Sequence, residues 1–240
     1  MIQYHFPTVL FFGADSLKYL APAIQKRGLK SLLLVTDPGL VQIGLGDTVK
    51  RTLTSSGLNI EIFDNVHPNP IEEDVTTGVE MYKSGGFDGI IALGGGSAMD
   101  VAKTIRFMAV HEPPLAQYDD ALGGDAKIVN PMPPLFAIPT TAGTGSEVGR
   151  SSVITLKETG RKTIFFHPGL MPDIAVLDPK LTVGPPPHIT AATGMDAFTP
   201  VSYTISEPTR RYAIPYAVLC LKKKPLSNTP HYDFDSRYRA

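Results

Sequence analysis

The 240-residue chain has no tryptophan, a single cysteine, no long apolar run and a formal net charge of −1, and each shortage removes a class of protein. One cysteine, Cys220, cannot form an internal disulfide, so the fold has to rest on a buried core, and the composition suits a reducing compartment. Cys220 itself reads as a small buried hydrophobe rather than a nucleophile. The longest apolar stretch, residues 213–221, contains Pro215 and falls short of the roughly 18 residues that a spanning helix needs, which argues against a membrane protein. A pI near 6.6 offers no basic surface to nucleic acid or to an anionic bilayer. The first basic residue is Lys18, so neither a secretory leader nor an Arg-rich transit segment is visible, and a cytoplasmic location is expected. The length allows one large domain, or one domain and part of another.

What the chain does have is strand and helix in alternation. Residues 4–13 read as an extended segment closed by Gly13, and 15–27 as a helix. Residues 31–36, Ser-Leu-Leu-Leu-Val-Thr, form a continuous apolar strand of the kind buried on both faces of a parallel sheet. A helix over 41–55, a strand over 58–63, a helix over 71–84 and a strand over 88–93 follow, then strands at 135–138 and 174–177. Residues 151–155 and 162–166 read as a hairpin around Glu158-Thr159-Gly160, and 110–133 as a Pro-, Gly- and Asp-rich surface loop. The pattern is that of an α/β fold with a parallel sheet. Pro185-Pro186-Pro187 marks a boundary before a further helix that starts near His188.

The chain is organised around Ile90 to Lys103, where an apolar strand runs into Gly94-Gly95-Gly96 and straight on into a helix. Glycine lets the backbone take φ > 0 and lets another backbone or a phosphate approach closely. Ser97 reads as the N-cap, with Asp100 three residues on in a capping-box variant, and Ala98, Val101, Ala102, Ile105 and Met108 form an apolar stripe. The N–H groups and positive dipole end of such a helix attract a diphosphate. Met99 stands where the third glycine of the common dinucleotide fingerprint would be, so the turn is open to two readings, phosphate binding and packing alone.

Ligands of open parallel sheets bind beyond the carboxyl ends of the strands, and Asp37, Asn69 and Gly94 to Ser97 all lie just past predicted strands, facing one crevice. A carboxylate such as Asp37 suits a ribose 2′-hydroxyl and would repel a 2′-phosphate, or it merely starts an Asp-Pro-Gly turn. Pro139 to Val148 is a second Gly/Thr-rich stretch after a strand, with small hydroxyls that suit a phosphate or an amide.

Three stretches together resemble the iron-containing (group III) alcohol dehydrogenases: Gly94 to Lys103, Pro139 to Val148, and Ala192-Thr193-Gly194-Met195-Asp196-Ala197. Pro172 to Pro179 fits as well, and the resemblance covers residues 1–199. It implies a dinucleotide-binding α/β domain (1–184) followed by an all-helical, metal-binding domain, of which 185–221 is a truncated remnant. The implied activity is alcohol oxidation or aldehyde reduction with NAD, or less suitably NADP, at Fe2+ or Zn2+. By match of motif, Asp37, Asn69, Gly95, Gly96, Ser97, Asp100, Thr140, Thr141, Thr144 and Lys162 would line the cofactor site, with Leu181 nearby. Asp196 matches the first metal ligand. The metal would act as a Lewis acid that stabilises an alkoxide.

The departure from the family pattern is at position 200. The family places a histidine four residues after the metal aspartate, and here that residue is Pro200, which cannot ligate. Inside a helix it also removes the hydrogen bond to the Asp196 carbonyl, at about 3 kcal/mol or more, so the helix is expected to kink or end near Thr199. His188 is eight residues before Asp196, roughly 12 Å along a helix, and His5, His67, His111, His167 and His231 have no metal-type spacing. Residues 222–240 carry five basic and two acidic side chains and few aliphatic ones, which predicts a disordered tail. The expectation is a truncated, mis-spliced or degraded copy in which the metal is not retained. Its alternative activity is that of an inactive nucleotide-binding fragment. An incomplete second domain would expose apolar surface and favour a homo-oligomer.

Overall fold

A computed structural model describes residues 7–203, with side chains for 7–197. The expectations for Cys220, His5, His231, the helical character after residue 206 and the tail 222–240 lie outside the described residues.

The strands are β1 (Val9–Phe12), β2 (Ser31–Val35), β3 (Asn59–Phe63), β4 (Gly89–Gly94), β5 (Leu135–Pro139), β6 (Ser151–Thr155), β7 (Lys162–Phe166) and β8 (Ile174–Leu177). The α-helices are α1 (Leu20–Lys26), α2 (Pro38–Gln42), α3 (Leu45–Thr54), α4 (Glu72–Gly85), α5 (Gly96–Met108) and α6 (Pro187–Tyr203). Six strands make one parallel sheet in the order β1-β8-β5-β4-β2-β3, and β6 pairs with β7 as a separate antiparallel hairpin.

The two-residue period of a strand explains the layers. Leu33, Val35, Ile90, Ala92, Leu135, Ala137, Ala175 and Leu177 point into one cluster with Val75 and Tyr82 of α4 and Val101, Ile105 and Phe107 of α5. Leu32, Leu34, Ile91, Leu93, Phe136, Ile138, Ile174 and Val176 point the other way, against Leu20 and Ile24 of α1 and Val49 and Leu53 of α3. Burial on both faces is why the inner strands read as unbroken apolar runs. Each such side chain contributes about 1.5–3 kcal/mol by burial.

Helix α5 lies between this sheet, α4 and the hairpin, and ten of its residues are buried. Gly78 makes the approach of α4 possible, because a Cβ there would fall 2.2 Å from Ile105 Cδ1. Arg106 is buried with its charge satisfied: it donates to the carbonyls of Pro133, Gly169 and Met171 and pairs with Asp173 at 2.9 Å.

The order of strands puts a switch point between β2 and β4, since the chain leaves β2 toward β3 on one side and β4 toward β5 on the other. The carboxyl ends of β2, β3, β4 and β5 therefore share the edge that carries Asp37, Asn69, Gly94 to Ser97 and Thr140.

Several sequence expectations need correction. The helix expected over 41–55 is two, α2 and α3, broken at Gly44 in the left-handed conformation (φ 76°). Asp37-Pro38-Gly39 is not only a breaker: Asp37 caps α2, accepting from the Leu40 N–H at 3.1 Å, with Pro38 at the first helical position. The helix expected over 15–27 begins as a 3-10 turn, Ser16–Tyr19. The segment 110–133 is not all surface, because Leu115, Tyr118 and Ile128 are buried and His111 packs among them. Of the two outcomes expected at Pro200, a kink or an end, the end is not observed: helix α6 continues to Tyr203. One lost backbone bond leaves the bonds of the flanking turns to carry the helix on.

No helix among the described residues is long and apolar enough to cross a membrane.

Candidate functional site

Strand β4 leaves the sheet at Gly94, whose φ of 145° excludes other residues and whose Cβ would fall 2.8 Å from that of Ala98. Only this one of the three glycines has positive φ. Gly95 and Gly96 serve close approach instead. A Cβ on Gly95 would meet Thr141 Oγ1 at 2.9 Å, and one on Gly96 would meet Thr144 Cγ2 at 2.9 Å. The second Gly/Thr-rich loop thus crosses directly over the first, and the Thr140 N–H donates to the Gly94 carbonyl at 3.0 Å to start the crossing.

Gly95, not Ser97, is the N-cap of α5, and no side chain caps the helix. The capping box of Ser97 and Asp100 is absent because both side chains have other partners. Ser97 Oγ donates to the Pro68 carbonyl at 2.7 Å, fastening the β3–α4 connection to the start of α5. The first-turn N–H groups have no acceptor within the helix, so this end keeps its positive character.

Beside it opens a cleft of about 240 Å³ lined by Pro68, Asn69, Pro70, Gly96, Ser97, Asp100, Thr144, Val153, Thr155 and Lys162. Lys162 Nζ donates to Asn69 Oδ1 at 2.9 Å, closing one side. The hairpin supplies a wall of which sequence reasoning named Lys162 alone. Ser152 and Ile154 turn inward, so Val153 and Thr155 occupy the opposite face and line the cleft. The period of two was visible in the sequence, but not what the second face would meet.

Asp100 projects from the first turns of α5 into this cleft. Its Oδ1 accepts from Ser146 Oγ at 2.9 Å and its Oδ2 from the Val153 N–H at 3.2 Å. Burial pushes its carboxyl up, opposed by Lys103, Ser146 and Val153. Lys103 is fully buried, and burial pulls its ammonium down to about 8 against the attraction of Asp100 and Glu147. Burial also raises Glu147.

The remaining expected residues lie around the cleft rather than in it. Asp37 is half-buried, with Oδ1 engaged in the α2 cap and Oδ2 3.4 Å from where a Gly94 Cβ would be. Both readings of Asp37 survive, since the cap takes one oxygen and the other faces the glycine turn. Thr140 is buried under the turn and Leu181 packs in the core against the α1 and α3 side of the sheet.

Asp196 is exposed on α6 and sits on the second loop, where a Gly143 Cβ would fall 2.6 Å from its Oδ2. Ala142 and Ala197 complete this contact. Among the described residues no group of three His, Cys, Asp or Glu side chains converges as a metal site. Asp196 is a single oxygen-bearing group there, whereas catalytic metal sites use about three protein ligands.

Residues 7–179 match the iron-containing alcohol dehydrogenases, and the chain belongs to that family. It is 43% identical over 199 residues to the 4-hydroxybutyrate dehydrogenase of Cupriavidus necator, covering 83% of this chain and 51% of that one. Among solved structures it resembles a 1,3-propanediol oxidoreductase (TM-score 0.79, 35% identity, 92% of this chain and 65% of that one). It also resembles the sulfoacetaldehyde reductase of Bifidobacterium kashiwanohense solved in complex with NAD+ (TM-score 0.71, 32% identity, 82% and 51%). The chain spans about half the length of the curated relatives it matches.

Proposed function

We propose that this chain binds NAD(H) at the carboxyl edge of its sheet, as the nucleotide-binding half of a metal-dependent alcohol dehydrogenase or aldehyde reductase. The observation that carries the reading is the uncapped start of α5 opening beside a cleft whose wall holds a cation, Lys162, and a carboxylate, Asp100. An anionic diphosphate suits the helix end and Lys162, and hydroxyl or amide donors suit Asp100.

On this reading Gly95, Gly96 and Ser97 hold the diphosphate by backbone N–H groups, with Thr141 and Thr144 above them. Asp37 accepts from the adenosine ribose, next to the turn that Thr140 supports and Leu181 packs beneath. Asn69, Asp100 and Lys162 surround the other end. The nicotinamide supplies a two-electron acceptor for an alcohol, or the donor for an aldehyde. The chain's residues position it and keep its phosphates desolvated against fixed dipoles. Residues 1–184 then form the dinucleotide-binding domain, and 185–221 belong to the helical one.

The metal does not fit the described residues in the same way, because no group of three His, Cys, Asp or Glu side chains gathers among them and the residue four after Asp196 in the sequence is a proline. The alternative reading, an inactive nucleotide-binding fragment, rests on that observation.

Titration of NADH and NADPH followed by fluorescence tests the nucleotide. NADH should bind more tightly, and Asp37→Ser should narrow the gap; equal affinities would remove the role given to Asp37. Bound iron and zinc, and NAD reduction by short alcohols, test the rest. Metal-dependent turnover that is lost in Asp196→Ala would return this chain to the active enzymes.

A further inference from the structure

Behind the cleft wall lies a chain of polar groups that runs from α5 to the second loop and back. We infer that Lys103 and Ser146 are positioning residues which hold Asp100 as an oriented, ionised carboxylate on the cleft wall. The ligand it would serve there rests on the nucleotide reading above; the arrangement itself does not.

An ammonium has three donors and no acceptor, and Lys103 Nζ uses all three: to Ser146 Oγ at 2.8 Å and to the carbonyls of Gly149 and Ser151 at 2.9 Å each. These bonds pin the segment 146–151 against α5. A side chain needed only to fill that volume would be apolar, since a buried charge is costly unless paired and hydrogen-bonded. Lys103 is among the largest fully buried side chains of the described residues.

The hydroxyl of Ser146 fixes the direction of the chain. It has one proton, and its acceptor side is occupied by the Lys103 ammonium, so the proton is donated to Asp100 Oδ1. Asp100 therefore has to accept, which favours its ionised form. The Val153 N–H fixes the second oxygen at 3.2 Å. Two of about four lone-pair positions on the carboxylate are used in this way, and the residue still lines the cleft. The other charged groups packed around the chain are Arg106 on α5, Glu147 beside Ser146 and Lys162 on β7. Burial pushes the Asp100 carboxyl up, and Lys103 and Ser146 are the side chains that oppose it.

Carbon-13 NMR of the side-chain carboxyls in the full chain tests this, with Asp100→Asn assigning the resonance and NADH fluorescence titrations run on the same samples. Ser146→Ala should raise the Asp100 midpoint by about one pH unit, a tenfold change in its ionisation constant, in a chain that still unfolds cooperatively though at a lower temperature. Lys103→Met should raise it further where it folds, and Ser146→Ala decides the question where it does not. An Asp100 midpoint that stays put in Ser146→Ala overturns the proposal. NADH should bind several-fold more weakly to Ser146→Ala near neutral pH. Unchanged binding despite a moved midpoint would overturn the positioning role at the cleft. A wild-type chain that fails to bind NADH, with the midpoint still moved by Ser146→Ala, would sink the nucleotide reading and leave the arrangement standing.

Discussion

Helices α5 and α6 both present an aspartate beside the second Gly/Thr-rich loop, yet they are held in opposite ways. Helix α5 is enclosed, with Phe107 fully buried against Tyr118 and Phe165 and even its lysine and arginine out of solvent. Along α6, of residues 187–197 only Gly194 and Ala197 are buried, and Met195 is 62% exposed. Asp100 is oriented by two fixed donors, whereas Asp196 rests on a glycine. A carboxylate becomes a defined chemical group when its surroundings are fixed, and within this chain that condition is met on α5.

The contrast is broken most strongly by Phe107→Ala, which should cost about 3–5 kcal/mol in urea unfolding because the ring leaves a cavity between the helix and the hairpin. A loss under about 1 kcal/mol would mean that α5 is less enclosed than its contacts imply. Gly143→Ala comes next. Its φ is 134° and the new Cβ would meet Asp196 Oδ2 and the Thr193 carbonyl, so strain on the order of 1–3 kcal/mol should be relieved by releasing α6. Chymotrypsin should then cut within α6 faster while the unfolding midpoint of the sheet changes little; unchanged cleavage would show that the helix is held elsewhere.

The pH dependence separates the two helices more gently. Lys103 falls from 10.5 to about 8 on folding, so between those values the unfolded chain holds more proton and stability rises with pH. The cost of the buried ammonium is complete below pH 8 and relieved above it. Wild type should gain on Lys103→Met from about pH 8 to 10.5, and a flat difference would place Lys103 in contact with water. Met195→Ala should change unfolding by less than about 0.5 kcal/mol, and a larger loss would show that α6 packs on more than the second loop.

How far the sequence could be read depends on what each residue meets. The apolar runs at 31–35 and 89–94 declared a doubly covered sheet, because period and composition are properties of the strand itself. The cluster of glycines after β4 was legible as a tight turn for the same reason. Ser97 misled because a hydroxyl before a helical run satisfies the local rule for a cap, and only the fold brings the Pro68 carbonyl within its reach. Lys103 and Arg106 resemble the polar face of an amphipathic helix. Their burial follows from the hairpin and the β8 entry, which arrive 40 or more and about 60 residues later, as in the bonds from Lys103 to Ser146 and from Arg106 to Gly169. Asn69 was legible from its place past a strand end and Lys162 by resemblance alone, and the 2.9 Å bond between them could not be inferred from either.

The crossing of the two loops has a consequence for how such a sequence is free to drift. Gly95 faces Thr141 and Gly96 faces Thr144 at distances that leave no room for a Cβ. Each glycine and its threonine thus share one allotment of volume, and a side chain gained at the glycine has to be given up or moved at the threonine. An alanine at 95 is accommodated most easily with a smaller residue at 141, and one at 96 with a smaller residue at 144. The two pairs form a lock with two keys, so lineages that change this turn should do so by paired substitutions.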